Sequence, residues 1–365
     1  MHTIPMVDLQ QQYALIKKEI DAAIEQCLQQ SVFIGGPAVA AFEQNLKEYT
    51  GMKNVISCGN GTDALQIALM ALNLPKGSKI IIPAFTYIAP VEVIALLGLE
   101  PVFADVDLAT FNMGMEQVRQ VYTEDVRAIV AVHLFGQPAD MSEIAVFAKE
   151  NRLFLIEDNA QSLGGEKNIQ RDSVVTTSFF PTKNLGAYGD GGAILTNNDA
   201  LAIQMRRIAS HGQSQKYIHE TIGINSRLDA LQAAVLNVKL KYLEQYIQQR
   251  RHAAAFYQHH LKDISSVQLP EAAENNGHTF HQYTIRVAPE QRSALQQFLK
   301  EKNISTAVYY PLPVYRQKAY FNDKIHLPNT EYLCTSVLSL PVYPEISEAQ
   351  LLYICTAIKD FFRNN

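Results

Sequence analysis

The sequence predicts an α/β protein, with a large, mostly parallel sheet domain layered with helices and a smaller C-terminal α+β domain. Three observations carry this. Short apolar runs alternate with stretches of helical period through the first half of the chain, the pattern of a layered α/β domain. Several runs are apolar at consecutive positions (Ile80, Ile81, Ile82; Leu153, Phe154, Leu155, Ile156), as strands covered on both faces read. The 365 residues, 47% of them hydrophobic, exceed one small core and suit two unequal domains.

In chain order the expected strands are Val55–Cys58, Lys79–Tyr87, Pro101–Asp107, Ala128–Phe135, Leu153–Glu157, Val174–Phe180 and Ala193–Thr196. Between them Ala64–Leu72 and Ser142–Asn151 place apolar residues three and four apart, one face of a helix. The segment Arg227–Arg251 has no Pro or Gly and repeats Leu228, Leu231, Val235, Val238, Tyr242 and Tyr246 at helical spacing, so one long helix is expected. The polar segment Glu271–His278 reads as a turn-rich connection. A strand (Phe280–Val287), a helix (Glu290–Lys302) and a Pro/Tyr-rich stretch (Tyr309–Tyr315) follow. Ser347 and Gln350 form a capping box that opens a last helix running to about Phe362. The domains are placed at 1–250, including the N-terminal segment and the long helix, and at 251–365.

Composition excludes several classes. A net charge of −5 argues against a nucleic-acid partner. Cys27, Cys58, Cys334 and Cys355 are far apart and form no CxxC or Cys/His pair, so neither a metal nor a disulfide scaffold is expected. The N-terminus MHTIPMVDLQQQY does not read as a signal peptide. With no apolar run approaching a bilayer span, a cytoplasmic protein without membrane contact is expected.

Three motifs could carry chemistry. Gly59-Asn60-Gly61-Thr62-Asp63-Ala64 lies between a strand and a helix, where backbone N–H groups unobstructed at glycine bind phosphate. It also fits a dinucleotide fingerprint. The next strand, KIIIPAFTY, lacks the carboxylate that would hold a ribose, so a single phosphate is favoured; a ligand-free tight turn is the plain alternative. Ile156-Glu157-Asp158-Asn159-Ala160-Gln161 ends a buried strand. A buried carboxylate there could hold a protonated ring nitrogen, or Asp158 or Gln161 could simply cap the next helix. In Ser178–Gly192 one lysine, Lys183, stands among aromatic and small residues. A desolvated lysine loses its proton readily and forms a Schiff base with an aldehyde, whereas a loop lysine is more often a solvated surface residue. A phosphate cradle, an acid and a lysine are together the three handles of pyridoxal 5'-phosphate. Tyr87 in PAFTYIA offers a flat surface for the ring, or is core.

The chain resembles the DegT/StrS group of pyridoxal-phosphate-dependent nucleotide-sugar aminotransferases of fold type I, over nearly its full length. The resemblance rests on IPMVDLQQQY, FIGGPAVAAFE, NGTDALQIAL, IIPAFTYIA, FADVD, HLFGQPADM, IEDNAQS, SFFPTKNLGAYGDGGAI, GINSRLDALQAAVL, VYYPLPVY and SLPVYPE. It implies the aspartate-aminotransferase-like fold, with Lys183 linked to the cofactor and moving the proton, and Asp158 on the pyridinium nitrogen. It further implies Gln161 near the phenolate oxygen, Tyr87 on the ring, and Gly61, Thr62 and Ser178 on the phosphate. Asn225 would reach that phosphate from the neighbouring subunit, making a homodimer with shared sites. Arg227, Tyr188, Tyr309 and Tyr310 would face the sugar nucleotide, with interface or core packing as the alternative.

Family members that have exchanged transamination for dehydration carry His where this chain has Lys183, so transamination is implied. Asn159 departs from the alanine common in relatives and leaves Asp158 and Gln161 in place. FFPTKNLGAYGDGG is similar to enzymes acting on 3-keto sugars, and HGQSQKYIHETIGINSRLD to those aminating UDP-2-acetamido-2-deoxy-3-keto-glucuronate. The expected reaction takes an amino group from L-glutamate to that nucleotide-linked keto sugar, for surface-polysaccharide (O-antigen) synthesis. The alternative substrates are dTDP-3-keto- or UDP-4-keto-6-deoxyhexoses. Outside this class, the rivals are a nicotinamide-dependent oxidoreductase and a non-catalytic regulatory relative.

Overall fold

A computed structural model describes residues 3–165, 172–271 and 277–364. The turn expected at Glu271–His278 falls mostly outside these residues.

The seven apolar runs form one sheet. Its strands are β1 (Asn54–Cys58), β2 (Lys79–Pro83), β3 (Glu100–Ala104), β4 (Val126–Val132), β5 (Phe154–Asp158), β6 (Val174–Ser178) and β7 (Gly192–Thr196). Their order is β1-β7-β6-β5-β4-β2-β3. All pairings are parallel except those of β7, which runs antiparallel to both neighbours. The helices are α1 (Leu9–Gln30), α2 (Gly36–Thr50), α3 (Gly61–Ala71), α4 (Ala89–Leu96), α5 (Met115–Val121), α6 (Ser142–Glu150), α7 (Asp199–Ala209), α8 (Ala230–Leu240), α9 (Leu243–Leu261), α10 (Pro289–Glu301), α11 (Pro328–Ser336) and α12 (Glu348–Asn364). A small hairpin, β8 (Gln213–Gln215) and β9 (Ile218–His219), precedes α8. The antiparallel pair β10 (Tyr283–Arg286) and β11 (Val337–Leu340) lies in the C-terminal part. Among the described residues, no helix is long and apolar enough to cross a membrane.

Burial explains the consecutive apolar residues of β2. Ile80 and Ile82 pack with α3, α4 and α7 on one face, while Ile81 packs with α5 and α6 on the other. Alternate side chains point to opposite faces, so both faces need apolar residues. Four of the expected sheet strands end early, at Pro83, Ala104, Val132 and Ser178. Beyond Pro83 and Ser178, Thr86, Tyr87 and Phe180 leave the sheet to line a cavity.

The single helix expected over Arg227–Arg251 is two helices. At the break, Lys241 and Tyr242 bond back to the carbonyls of Val238 and Lys239 (3.3 and 3.0 Å), which tightens the turn. Both side chains are tied to Glu19 of α1, Lys241 at 3.3 Å and Tyr242 through its hydroxyl. Neither residue is a helix breaker; packing against α1 sets the direction. Arg227–Asp229 is not helical because Asp229 bridges to Ile34, and Ala230 bonds to the carbonyl of Phe33 (2.9 Å). α9 then continues past residue 250 to Leu261. Its residues Ala253, Ala254, Tyr257 and Leu261 share a core with β10, β11, α10, α12 and Ile4 of the N-terminal segment. The expected capping box is present: Ser347 N–H bonds Gln350 Oε1 (2.9 Å), and Gln350 N–H bonds Ser347 Oγ (3.3 Å).

Candidate active site

The C-terminal ends of β2, β4, β5 and β6 open on one cavity of about 600 Å³, where open α/β sheets bind ligands. Lining it are Gly61, Thr62, Tyr87, Asp158, Gln161, Ser178, Lys183, Tyr309 and Tyr310, all singled out from the sequence. Parts of the chain more than a hundred residues apart thus meet around one space.

At one end stands the start of α3. Asn60 takes an extended backbone, and its side chain accepts the Asp63 N–H (2.8 Å). The first-turn N–H groups of Gly61 and Thr62 have no carbonyl partner within their own helix, and the helix dipole favours an anion there. The turn fits only as glycine: a Cβ on Gly61 would lie 2.7 Å from Ser178 Cβ. Ser226 holds the turn from behind, accepting the Gly59 N–H (2.9 Å) and donating to Asp63 Oδ2 (2.5 Å).

Asp158 ends β5 and is 7% exposed. Burial raises its pKa, opposed by the Ala160 N–H and by the charge of Lys183. Behind it His133 Nδ1 accepts the Ala139 N–H (3.0 Å), which leaves Nε2 to donate to Glu157 (3.0 Å).

Desolvation lowers the Lys183 amine to about 8, with the Asp158 charge opposing. A glycine bend lets its loop fold tightly, since a Cβ on Gly186 would strike the Pro181 carbonyl. Asn184 Nδ2 fixes the loop to the carbonyl of Leu163 (3.1 Å) and to Thr279 Oγ1 (2.9 Å). A neutral amine is the nucleophile toward an aldehyde. Capture of pyridoxal phosphate by the apo-protein, followed as a borohydride-trapped adduct on Lys183, is therefore expected to accelerate as pH rises through about 8. A rate flat between pH 6 and about 9.5 would contradict a desolvated amine.

Gln161 is held at both ends of its amide: Oε1 accepts the Phe135 N–H (2.7 Å), and Nε2 donates to the Tyr310 hydroxyl (3.2 Å). Tyr87 is 56% exposed and faces Tyr310 at a ring separation of 6.1 Å. Three expected site residues do not line this cavity. Tyr188 is half-buried against Lys239 and Tyr13, and Asn225 and Arg227 are exposed on either side of buried Ser226. Further lining residues were not singled out from sequence: Thr86, Phe180, Thr182, Asp190, His281 and Gln282. Phe180, Thr182 and Asp190 sit within the lysine motif, and Thr86 beside Tyr87; His281 and Gln282 precede β10 with no local signal.

These residues fit pyridoxal phosphate. The α3 start with Ser178 could hold its phosphate, the buried carboxylate of Asp158 its ring nitrogen, and Lys183 its aldehyde. The profile of the DegT/DnrJ/EryC1/StrS aminotransferase family matches residues 14–359. The chain belongs to this family. It is a pyridoxal-phosphate-dependent sugar-nucleotide aminotransferase, which excludes the nicotinamide reading of the glycine turn. It is 44% identical to the pleiotropic regulatory protein of Geobacillus stearothermophilus, over 99% of each chain. It is 43% identical to the UDP-2-acetamido-2-deoxy-3-oxo-D-glucuronate aminotransferase of Pseudomonas aeruginosa, over 97% of this chain and 99% of that one. The crystal structure of S. venezuelae DesV with a ketimine intermediate superposes with a TM-score of 0.96, at 34% identity and 99% coverage of each.

Proposed function

We propose that the aminotransferase takes its amino group from L-glutamate and delivers it to the 3-keto carbon of a UDP-linked 2-acetamido hexuronate. The observation that carries the site assignment is the convergence of Lys183, Asp158, the Gly61–Thr62 turn and Ser178 on one cavity. Pyridoxal phosphate supplies the electron sink for breaking the bond to the migrating proton. Lys183 would hold the cofactor's aldehyde through its amine and, once free, would take up and return the migrating proton. Asp158 would hold the ring nitrogen in its protonated form, and Gln161, fixed by Phe135 and Tyr310, would contact the ring oxygen. Tyr87, on the cavity wall, would lie against the ring face.

Charge supports a shared site. Among the described lining residues the acids are Asp63, Asp158 and Asp190, and Lys183 is the only lysine or arginine. A nucleotide diphosphate and glutamate are both anions, so further cations must come from outside this wall. Arg227 and Asn225 are exposed beyond a hairpin carrying Lys216 and His219, and in a homodimer they would complete the neighbour's site. A fully active monomer in solution would sink this arm. Tyr309 and Tyr310 would contact the sugar nucleotide and Tyr188 would act from the lysine loop. The setting is the cytoplasm, and the product serves surface-polysaccharide (O-antigen) synthesis.

The 3-keto uronate is supported by FFPTKNLGAYGDGG and by the Pseudomonas relative. Incubation with glutamate and a panel of UDP- and dTDP-keto sugars tests it: the UDP-3-keto uronate is expected to give the largest kcat/KM. Preference for a dTDP-3-keto- or UDP-4-keto-6-deoxyhexose would replace the substrate and keep the chemistry. Failure of the glutamate half-reaction would remove the donor.

A further inference from the structure

His281 lines the cavity just ahead of β10 and is 7% exposed. Its backbone is held on three sides. Thr279 N–H bonds the Gly136 carbonyl (2.8 Å), Gln282 N–H bonds the Phe135 carbonyl (3.1 Å), and Arg250 Nη1 donates to the His281 carbonyl (3.3 Å). The segments lie so close that a Cβ on Gly136 would stand 2.6 Å from His281 N. Phe135 N–H in turn bonds Gln161 (2.7 Å), and Thr279 Oγ1 accepts from Asn184 of the Lys183 loop (2.9 Å). The imidazole is thus fixed in the same frame as Gln161 and the reactive lysine.

The two ring nitrogens differ. Nδ1 is buried with no hydrogen-bond partner, and Nε2 is not closed off in this way. Burial pushes the imidazole well below 6.5, and the charges of Lys183 and Arg250 push in the same direction, so the ring is neutral. A proton on Nδ1 would orphan a buried donor, which native structures avoid more strictly than an unpaired acceptor. The hydrogen-bond pattern therefore assigns the proton to Nε2, a donor toward the cavity.

In the arrangement above, the cofactor's phosphate, ring nitrogen and ring oxygen already have partners, which leaves this donor for a substrate. Both substrates must bring their reacting carbon to Lys183, and each carries a polar group beside it. An amino-acid donor has its α-carboxylate; a keto sugar has a hydroxyl or acetamido group. An arginine here would match the carboxylate and then be stranded as an unpaired buried charge when the neutral sugar group took its place. An uncharged N–H donates to either. The described cavity wall accordingly carries no arginine.

We propose that His281 is a substrate-binding residue, its Nε2–H taking the α-carboxylate of the amino-acid donor in one half-reaction and the hydroxyl or acetamido group flanking the keto carbon in the other. The proposal rests on the reading of donor and sugar given above, and its test separates the two. Single turnovers of the holoenzyme measure each half-reaction by itself. His281→Phe keeps a planar ring and removes the donor; His281→Leu serves the same purpose should the phenyl not fit. His281→Gln places an amide N–H where Nε2 stood. Either loss variant is expected to lower kcat/KM at least about tenfold for both substrates. It is also expected to weaken binding of α-methylglutamate, which has no α proton to transfer, about tenfold in a spectroscopic titration. His281→Gln is expected to return to within about threefold of the wild type in each, and the affinity of every apo-variant for pyridoxal phosphate to stay within about threefold. A loss confined to one substrate, no loss, no recovery with glutamine, or an equal loss of cofactor affinity overturns the proposal. Failure of the wild type on glutamate or on the uronate would instead refute those substrates. The same comparison then runs with the amino acid and keto sugar that the wild type accepts, since these carry the same flanking groups.

Discussion

Lys183→Ala is expected to lower kcat by more than about 10³-fold while leaving the protein folded. In the proposed role the amine would serve as covalent attachment and proton carrier at once, and no other lysine lines the described cavity. Its side chain makes no hydrogen bond in the described structure, and its backbone N–H bond to the Phe180 carbonyl (2.8 Å) survives the change. Stability separates this from a folding defect. In the apo-protein, a lysine at about 8 folded against 10.5 unfolded carries the full cost of its buried charge below pH 8. Between pH 8 and 10.5 the unfolded chain binds more protons, so stability rises with pH. The substitution removes this part of the rise; Lys239, also at about 8, leaves a remainder. Thermal unfolding of both apo-proteins from pH 7 to about 10, with mass spectrometry of the borohydride adduct, checks it. Retained turnover would overturn the assignment of Lys183.

Asp158→Asn is expected to cost about 10²–10⁴-fold in kcat and at the same time to raise the melting temperature of the apo-protein at neutral pH. Asparagine still accepts the Ala160 N–H now bonded at 3.1 Å, but it cannot keep a pyridinium nitrogen charged. The stability gain follows from sign. The Asp158 carboxyl is raised above 3.8 by burial, so the native state holds its proton longer than the unfolded chain. Stability is then lost as pH rises from 3.8 through the native value, a loss that an asparagine does not incur. The two proteins should converge at acid pH, where both residues are neutral. Gain of stability with loss of activity marks a group kept for chemistry. A melting temperature lowered at pH 7, with activity retained, would make Asp158 a structural cap.

Much of this site was legible because its parts are local. The glycine turn, the strand-ending Asp158 and the lysine loop each announce themselves within a few residues, since close backbone approach needs glycine and a buried strand needs apolar neighbours. The break at Lys241–Tyr242 was not legible: two good helix residues are diverted by Glu19, far earlier in the chain. His281 and Gln282 escaped notice for the same reason, their place on the cavity wall being set by Arg250 and by the bond from Gln282 N–H to the Phe135 carbonyl (3.1 Å).

The order of residues alone thus determined the seven strands and the cofactor class, and singled out the candidate amine, because periodicity and turn chemistry act over short stretches. Tertiary structure alone decided which distant segments face that amine and how far burial lowers its proton affinity. Desolvation and charge compensation depend on everything packed around a group, and no short stretch of chain contains that information.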